Sequence, residues 1–248
     1  MEKPDRREIL SRVAAGTITP EEAAAQLDSI KAVHQSADTA IRKVQVVRRL
    51  GSLEIIGDAS VRDAVAEGPH QARIDGDIMV FEAETADDWG GFFFGFGRNA
   101  GKEKLLIRLN PSLALDLQLQ AGSCRVRGME GPIRADVQAG SAVIEGIRGE
   151  LNLSVQAGSV RASGRLDDGD SRIGCDAGSV SLQLEPGSSV RIKARASMGK
   201  VDLPGTAAIN GIQEVTIGDG AGSLLIDSNM GSVRVTASTS PLSRASSR

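Results

Sequence analysis

Apolar and polar residues alternate along most of this chain, and the alternation resets at a recurring glycine. Gly122, Gly140 and Gly158 sit in QAGS tetrapeptides and Gly178 in DAGS, and Gly199 follows in SMGK, at intervals of 18, 18, 20 and 21 residues. Five residues before these glycines stand Leu117, Ala135, Leu153, Ile173 and Ala194; three before them stand Leu119, Val137, Val155, Cys175 and Ala196. Two after them come Cys124, Ala142, Val160, Val180 and Val201; four after them come Val126, Ile144, Ala162, Leu182 and Leu203. Between these columns lie mostly Arg, Gln, Asp, Ser and Lys. A period of two with one apolar side predicts strands that turn one face inward.

The inward positions before each glycine are out of step with those after it. The chain therefore turns a corner at Ala-Gly-Ser, where glycine supplies a backbone angle that other residues avoid. A second break is marked by GMEG (128–131), GIRG (146–149) and LEPG (184–187), and Gly222 and Gly231 continue the theme irregularly. Short strands, corners and a near-constant repeat predict a mainly β chain. The architecture they point to is a single-stranded parallel β-helix, a β-solenoid with coils of about 18 residues, preceded by a small α-helical hairpin. Coils stacked at about 4.8 Å would set aliphatic ladders inside and Gln120, Gln138 and Gln156 outside. Ten coils at most between residues 50 and 238 would give a length on the order of 50 Å. A sandwich of short antiparallel strands, the competing architecture, requires no such column register. The last strand, GSVRVTAS, is expected at an open end where a second copy could pair.

Before residue 38 the period changes. Ile9, Leu10 and Val13 form one apolar stripe and Ala23, Ala24, Leu27 and Ile30 another. Gly16 ends the first segment, and Thr19, Pro20 and Glu22 open the second with a capping box. The predicted organisation is a helical hairpin at 1–37, a basic linker or first strand at 38–49, and a solenoid at 50–238. An insertion at 82–104 interrupts the solenoid, and a Ser-rich disordered tail occupies 239–248.

Composition changes the picture in two places. The chain has five Phe, one Trp and no Tyr, yet Trp89, Phe92, Phe93, Phe94 and Phe96 fall together in the Gly-rich insertion. An aliphatic solenoid interior has no room for rings, so these five read as an interaction loop with no catalytic role. They could fold back over the rod or the hairpin, meet another copy or a partner, or enter a membrane surface beside Arg98, Lys102 and Lys104. Charge is uneven as well. The segment IRKVQVVRR (41–49) holds a basic patch of Arg42, Lys43, Arg48 and Arg49 without an acid, either a solvated strand or a site for anionic lipid. A net charge of −3 gives no reason to expect nucleic acid. Neither a signal peptide nor a membrane span is apparent, which points to a cytoplasmic protein, either free or peripheral at the inner membrane face. Cys124 and Cys175 fall in different columns three coils apart, too far for a disulfide.

Catalytic signatures are sparse. His34 and His70 are the two histidines and read as surface residues. Asp167, Asp168 and Asp170, with Asp176 one strand later, suit a coil-connecting turn, with a cation or substrate site as the sharper alternative. No metal spacing, nucleotide fingerprint or nucleophile triad is present. The expectation is therefore no catalytic residue, no metal and no cofactor, with Gly122, Gly140, Gly158, Gly178 and Gly199 as structural repeat corners.

REILSRVAAGTITPEEAAAQLDSI resembles the helical hairpin that opens many bacterial envelope-stress proteins. LQAGSCRVRG, VQAGSAVIEG and VQAGSVRASG resemble the adhesin-type β-strand-repeat domain that follows it; the resemblance covers residues 5–31 and about 50–238. It implies a non-enzymatic scaffold or interaction protein of cell-envelope homeostasis, acting through self-association or another protein. A more distant resemblance, to the bactofilins, implies a self-polymerising cytoskeletal filament. A carbohydrate-active β-helix enzyme is the third class.

Overall fold

The computed structural model describes residues 40–82, 104–206 and 211–238. The expected hairpin at 1–37, the insertion between 83 and 103 with its five aromatic residues, and the tail at 239–248 lie outside the described residues. Every regular element described is a strand. The first six are β1 (Lys43–Arg48), β2 (Ser52–Gly57), β3 (Ala64–Glu67), β4 (Gln71–Asp75), β5 (Ile78–Glu82) and β6 (Lys104–Leu109). The repeat region supplies β7 (Ala114–Arg127), β8 (Ile133–Ile147), β9 (Leu151–Val155), β10 (Ser159–Gly164), β11 (Asp170–Cys175) and β12 (Ser179–Leu184). Five more follow: β13 (Val190–Ala196), β14 (Lys200–Asp202), β15 (Gly211–Ile217), β16 (Gly222–Ser228) and β17 (Ser232–Ala237).

The strands form two ladders. In the first, parallel pairing runs β5, β1, the first half of β7, the first half of β8, β9, β11, β16, β13. In the second it runs β6, β2, the second half of β7, the second half of β8, β10, β12, β17, β14. Each ladder has eight rungs, fewer than the ten coils allowed by the sequence, and at about 4.8 Å per step they span about 34 Å. Antiparallel strands flank the stack: β4 on β5, β3 on β6 and β15 on β13. The sheet is open: among the described residues β4, β3, β15 and β14 each pair on one side only.

The sequence predicts rungs that stack in chain order, and this holds only from β7 through β12. The β1–β2 rung sits between the β5–β6 rung and β7. The β16–β17 rung sits between β11–β12 and β13–β14. The final strand is consequently not at an open end: Ser232 pairs with Ser179 on one side and Lys200 on the other. Val233 and Val235 lie inside the stack and are 1% and 2% exposed.

All twenty residues of the four columns aligned on Gly122, Gly140, Gly158, Gly178 and Gly199 are buried in one apolar cluster. A further column, Leu115, Ile133 and Leu151, completes the inward face. Alternation is visible strand by strand; β13 buries every second residue along its whole length. The corner glycines also stack. In spatial order they are Gly51, Gly122, Gly140, Gly158, Gly178, Gly231 and Gly199, each backbone packed on the carbonyl of the one before. A Cβ on Gly140 would stand 2.4 Å from the Gly122 carbonyl oxygen, and Gly140 also takes φ of 137°. Gly222, by contrast, opens β16 and is no corner.

Candidate interaction surface

The basic run resolves into a strand rather than a linker, and strand geometry disperses its charges. Arg42 and Arg49 are exposed at opposite ends of β1. Lys43 meets the Asp116 carboxylate at 2.7 Å. Arg48 shares the inward parity of Val44 and Val46 and is only 5% exposed, with its guanidinium over Gly51. The four residues do not form one cationic surface.

The chain leaves the described region at Glu82, the end of β5, and returns at Lys104, the start of β6. Both belong to the outermost parallel rung; in the neighbouring rung the connection between Arg48 and Ser52 is a short corner. Phe81, next to this point, is buried and packs tilted against His70 with ring centroids 5.6 Å apart; His70 Nδ1 lies 2.7 Å from the Gly68 carbonyl. His34 lies outside the described residues.

The acidic cluster takes the form of a turn. Asp167 pairs with Arg165, the Asp168 carboxylate accepts the Gly169 N–H at 2.8 Å, and Asp170 accepts the Ser223 hydroxyl at 2.5 Å. Gly169 takes φ of 74°, the angle that closes the turn. Among the described residues no group of three or more His, Cys, Asp or Glu could hold a metal ion. Cys124 and Cys175 are free and buried. Burial pushes the Cys124 thiol up to about 12 and raises that of Cys175 as well.

Charged side chains lie on the outer faces, and several of them link adjacent strands. On the first ladder Arg172 of β11 meets Asp227 of β16 at 3.0 Å. On the second, Glu54 of β2 is held by Lys104 of β6 and Arg127 of β7, whose hydrogen bonds keep its carboxyl below the usual range. Arg234 of β17 meets Asp202 of β14 at 3.1 Å, and Arg108 of β6 meets Glu67 of β3. These partners are up to 73 residues apart in sequence and become neighbours only through the rung order. Beside them runs a row of serines, one per rung: Ser52, Ser123, Ser141, Ser159, Ser179 and Ser232. Lys104 continues the row at one end and Lys200 at the other. The QAGS and DAGS motifs contained part of this signal, because their last residue always falls just past the corner.

No protein-family model matches the chain, and no curated protein matches its sequence. Solved structures similar to it include a candidate cell adhesion protein from Clostridium sporogenes, 14% identical, with 81% of this chain and 95% of that chain covered and a TM-score of 0.45. A candidate adhesin from Bacteroides fragilis is 12% identical, with 79% and 92% covered and a TM-score of 0.26.

Proposed function

We propose that the protein is a non-enzymatic β-solenoid scaffold that works by presenting long, regular outer faces to a partner at the bacterial cell envelope. The observation that supports this reading is the use made of charge. Several carboxylates and cations of the outer faces pair from rung to rung, Lys43 with Asp116, Arg172 with Asp227 and Glu54 with two cations. Such pairs add only about 0–1 kcal/mol each when exposed, but they reward one register over its neighbours. The interior of the described sheet is one apolar cluster. The envelope location rests on the resemblance of residues 5–31 and 50–238.

In its own host the tagged chain should concentrate at the envelope, and its deletion should sensitise cells to envelope-acting agents. Unchanged sensitivity together with diffuse signal would overturn the envelope reading. A second reading, a filament, is favoured by the strand edges that have no partner among the described residues at both ends of the first ladder, where Ile74 of β4 is 49% exposed and Ile212 of β15 is 69% exposed. Unpaired edges accept another chain unless they are covered. Negative-stain microscopy separates the two: discrete particles for the scaffold, filaments about two strands-ladders wide for the polymer.

A further inference from the structure

The outer face of the second ladder is cationic on a chain whose net charge is −3. Glu54 and Asp202 are each engaged with cations there, and Glu145 lies beside Arg127 in the pairing register. Arg125, Arg161 and Lys200 have no acidic partner among the described residues, and all three are exposed. Across three successive rungs one row of this face reads Arg161, Ser181, Arg234. A serine between two arginines leaves a gap one rung wide. A recess of about 230 Å³ opens there, lined also by Lys200, by Ser159, Ser179 and Ser232, and by Asp202, whose charge Arg234 offsets. Asp202 accepts from Nε of Arg234, which leaves the outer fork of that guanidinium facing solvent.

We propose that this recess binds an acidic polysaccharide, with its carboxylates on Arg161, Arg234 and Lys200 and its hydroxyls on the serine row. A guanidinium fork matches a carboxylate in two-point geometry. A serine hydroxyl both donates and accepts, as recognition of sugar hydroxyls requires. The rung repeat of about 4.8 Å is close to the length of one sugar residue in an extended chain, so successive rungs can meet successive residues. Nucleic acid fits less well. Among the described residues no outward residue of the second ladder is aromatic, so these strands offer bases no stacking platform. Three unpartnered cations are also few for a phosphate backbone, where tight binders contact about 6–10 phosphates.

The test is titration calorimetry of the full chain with a hexamer of galacturonic acid at low salt. Its fully methyl-esterified counterpart, of the same length without charge, and a single-stranded oligonucleotide serve as comparisons. The acidic hexamer should bind, the ester should bind at least tenfold more weakly, and the oligonucleotide should be weaker than the acid. Arg161→Gln and Lys200→Gln, made separately because both are exposed and neither is paired, should each reduce affinity severalfold. Arg172→Gln, on the other ladder, should leave it unchanged. Absence of binding by the acidic hexamer overturns the proposal. So does an oligonucleotide that binds more tightly, or an equal loss in Arg172→Gln.

Discussion

Replacing Gly140 with alanine tests the corner stack directly. Two costs act there. Alanine at φ of 137° leaves the favoured backbone regions, which costs about 1–3 kcal/mol. Its Cβ would also stand 2.4 Å from the Gly122 carbonyl oxygen and 2.9 Å from the Gly122 nitrogen, so two rungs must separate locally. Overpacking of that kind costs about 1–3 kcal/mol. Together they amount to about 2–6 kcal/mol, a large part of the stability of an ordinary domain. Two companion variants separate the terms. Gly158 does not have positive φ, yet its Cβ would meet the Gly140 carbonyl oxygen at 2.7 Å, so Gly158→Ala carries only the clash. Gly146 has φ of 69° with nothing nearer than 3.6 Å, so Gly146→Ala carries only the backbone term, about 1–2 kcal/mol. Urea unfolding of the three variants should give midpoints in the order Gly140→Ala lowest, with the other two closer to wild type and the slope unchanged. If Gly146→Ala costs as much as Gly140→Ala, close approach between rungs is not what the corner glycines provide.

Val155→Asp should cost more than about 4 kcal/mol and leave little soluble folded protein, because a charge in the apolar stack has no partner. Gln138→Glu, on an exposed position, should stay within about 0.5 kcal/mol by the same urea assay. Glu54 has a carboxyl held low in the folded state, so its contribution is present above the ordinary value of about 4.3 and is lost as pH falls through the depressed one. Glu54→Gln should therefore flatten the acid limb of melting temperature against pH; an unaltered limb would show that the Lys104 and Arg127 contacts add nothing in solution. Cys124 and Cys175 should react with iodoacetamide at pH 8 no faster than the protein unfolds, and rapid alkylation of either would contradict their burial.

The inward columns were legible because alternation is a local property of the chain. A residue two positions from a corner is buried whichever rung lies above it, so all twenty positions could be read without knowing the order of the stack. That order was not legible. Leu224 and Ile226 of β16 present the same aliphatic profile as Ile192 and Ala194 of β13, and nothing in either segment states which one packs on Ile173. The interlocked ends followed from that ambiguity, and so did the cross-rung ion pairs, whose partners depend on which rungs touch. Arg48 shows a different limit. Its spacing from Val44 and Val46 marks it as inward, and Gly51 three residues later marks a corner, but a run of four cations suggests a surface. The strand period was the stronger signal. The serine row was half visible, in the constant last letter of QAGS and DAGS, and needed Ser52 and Ser232 from distant segments to become continuous.

The position of the two ends of the described sheet has a mechanical consequence. A stack whose coils follow the chain can be peeled from its tip, one repeat at a time, and can lengthen by duplication of a terminal repeat. Here the strands nearest each terminus are held between two others, so a pull on the termini loads interior rungs from both sides in shear. Rupture should then be abrupt, at high force, rather than a staircase of single-repeat events. Duplication of repeats is compatible with this topology only within the stretch from β7 to β12, where successive coils are neighbours. The outer rungs must also wait for distant segments to arrive, a requirement that slows folding and joins both ends of the stack into one cooperative unit.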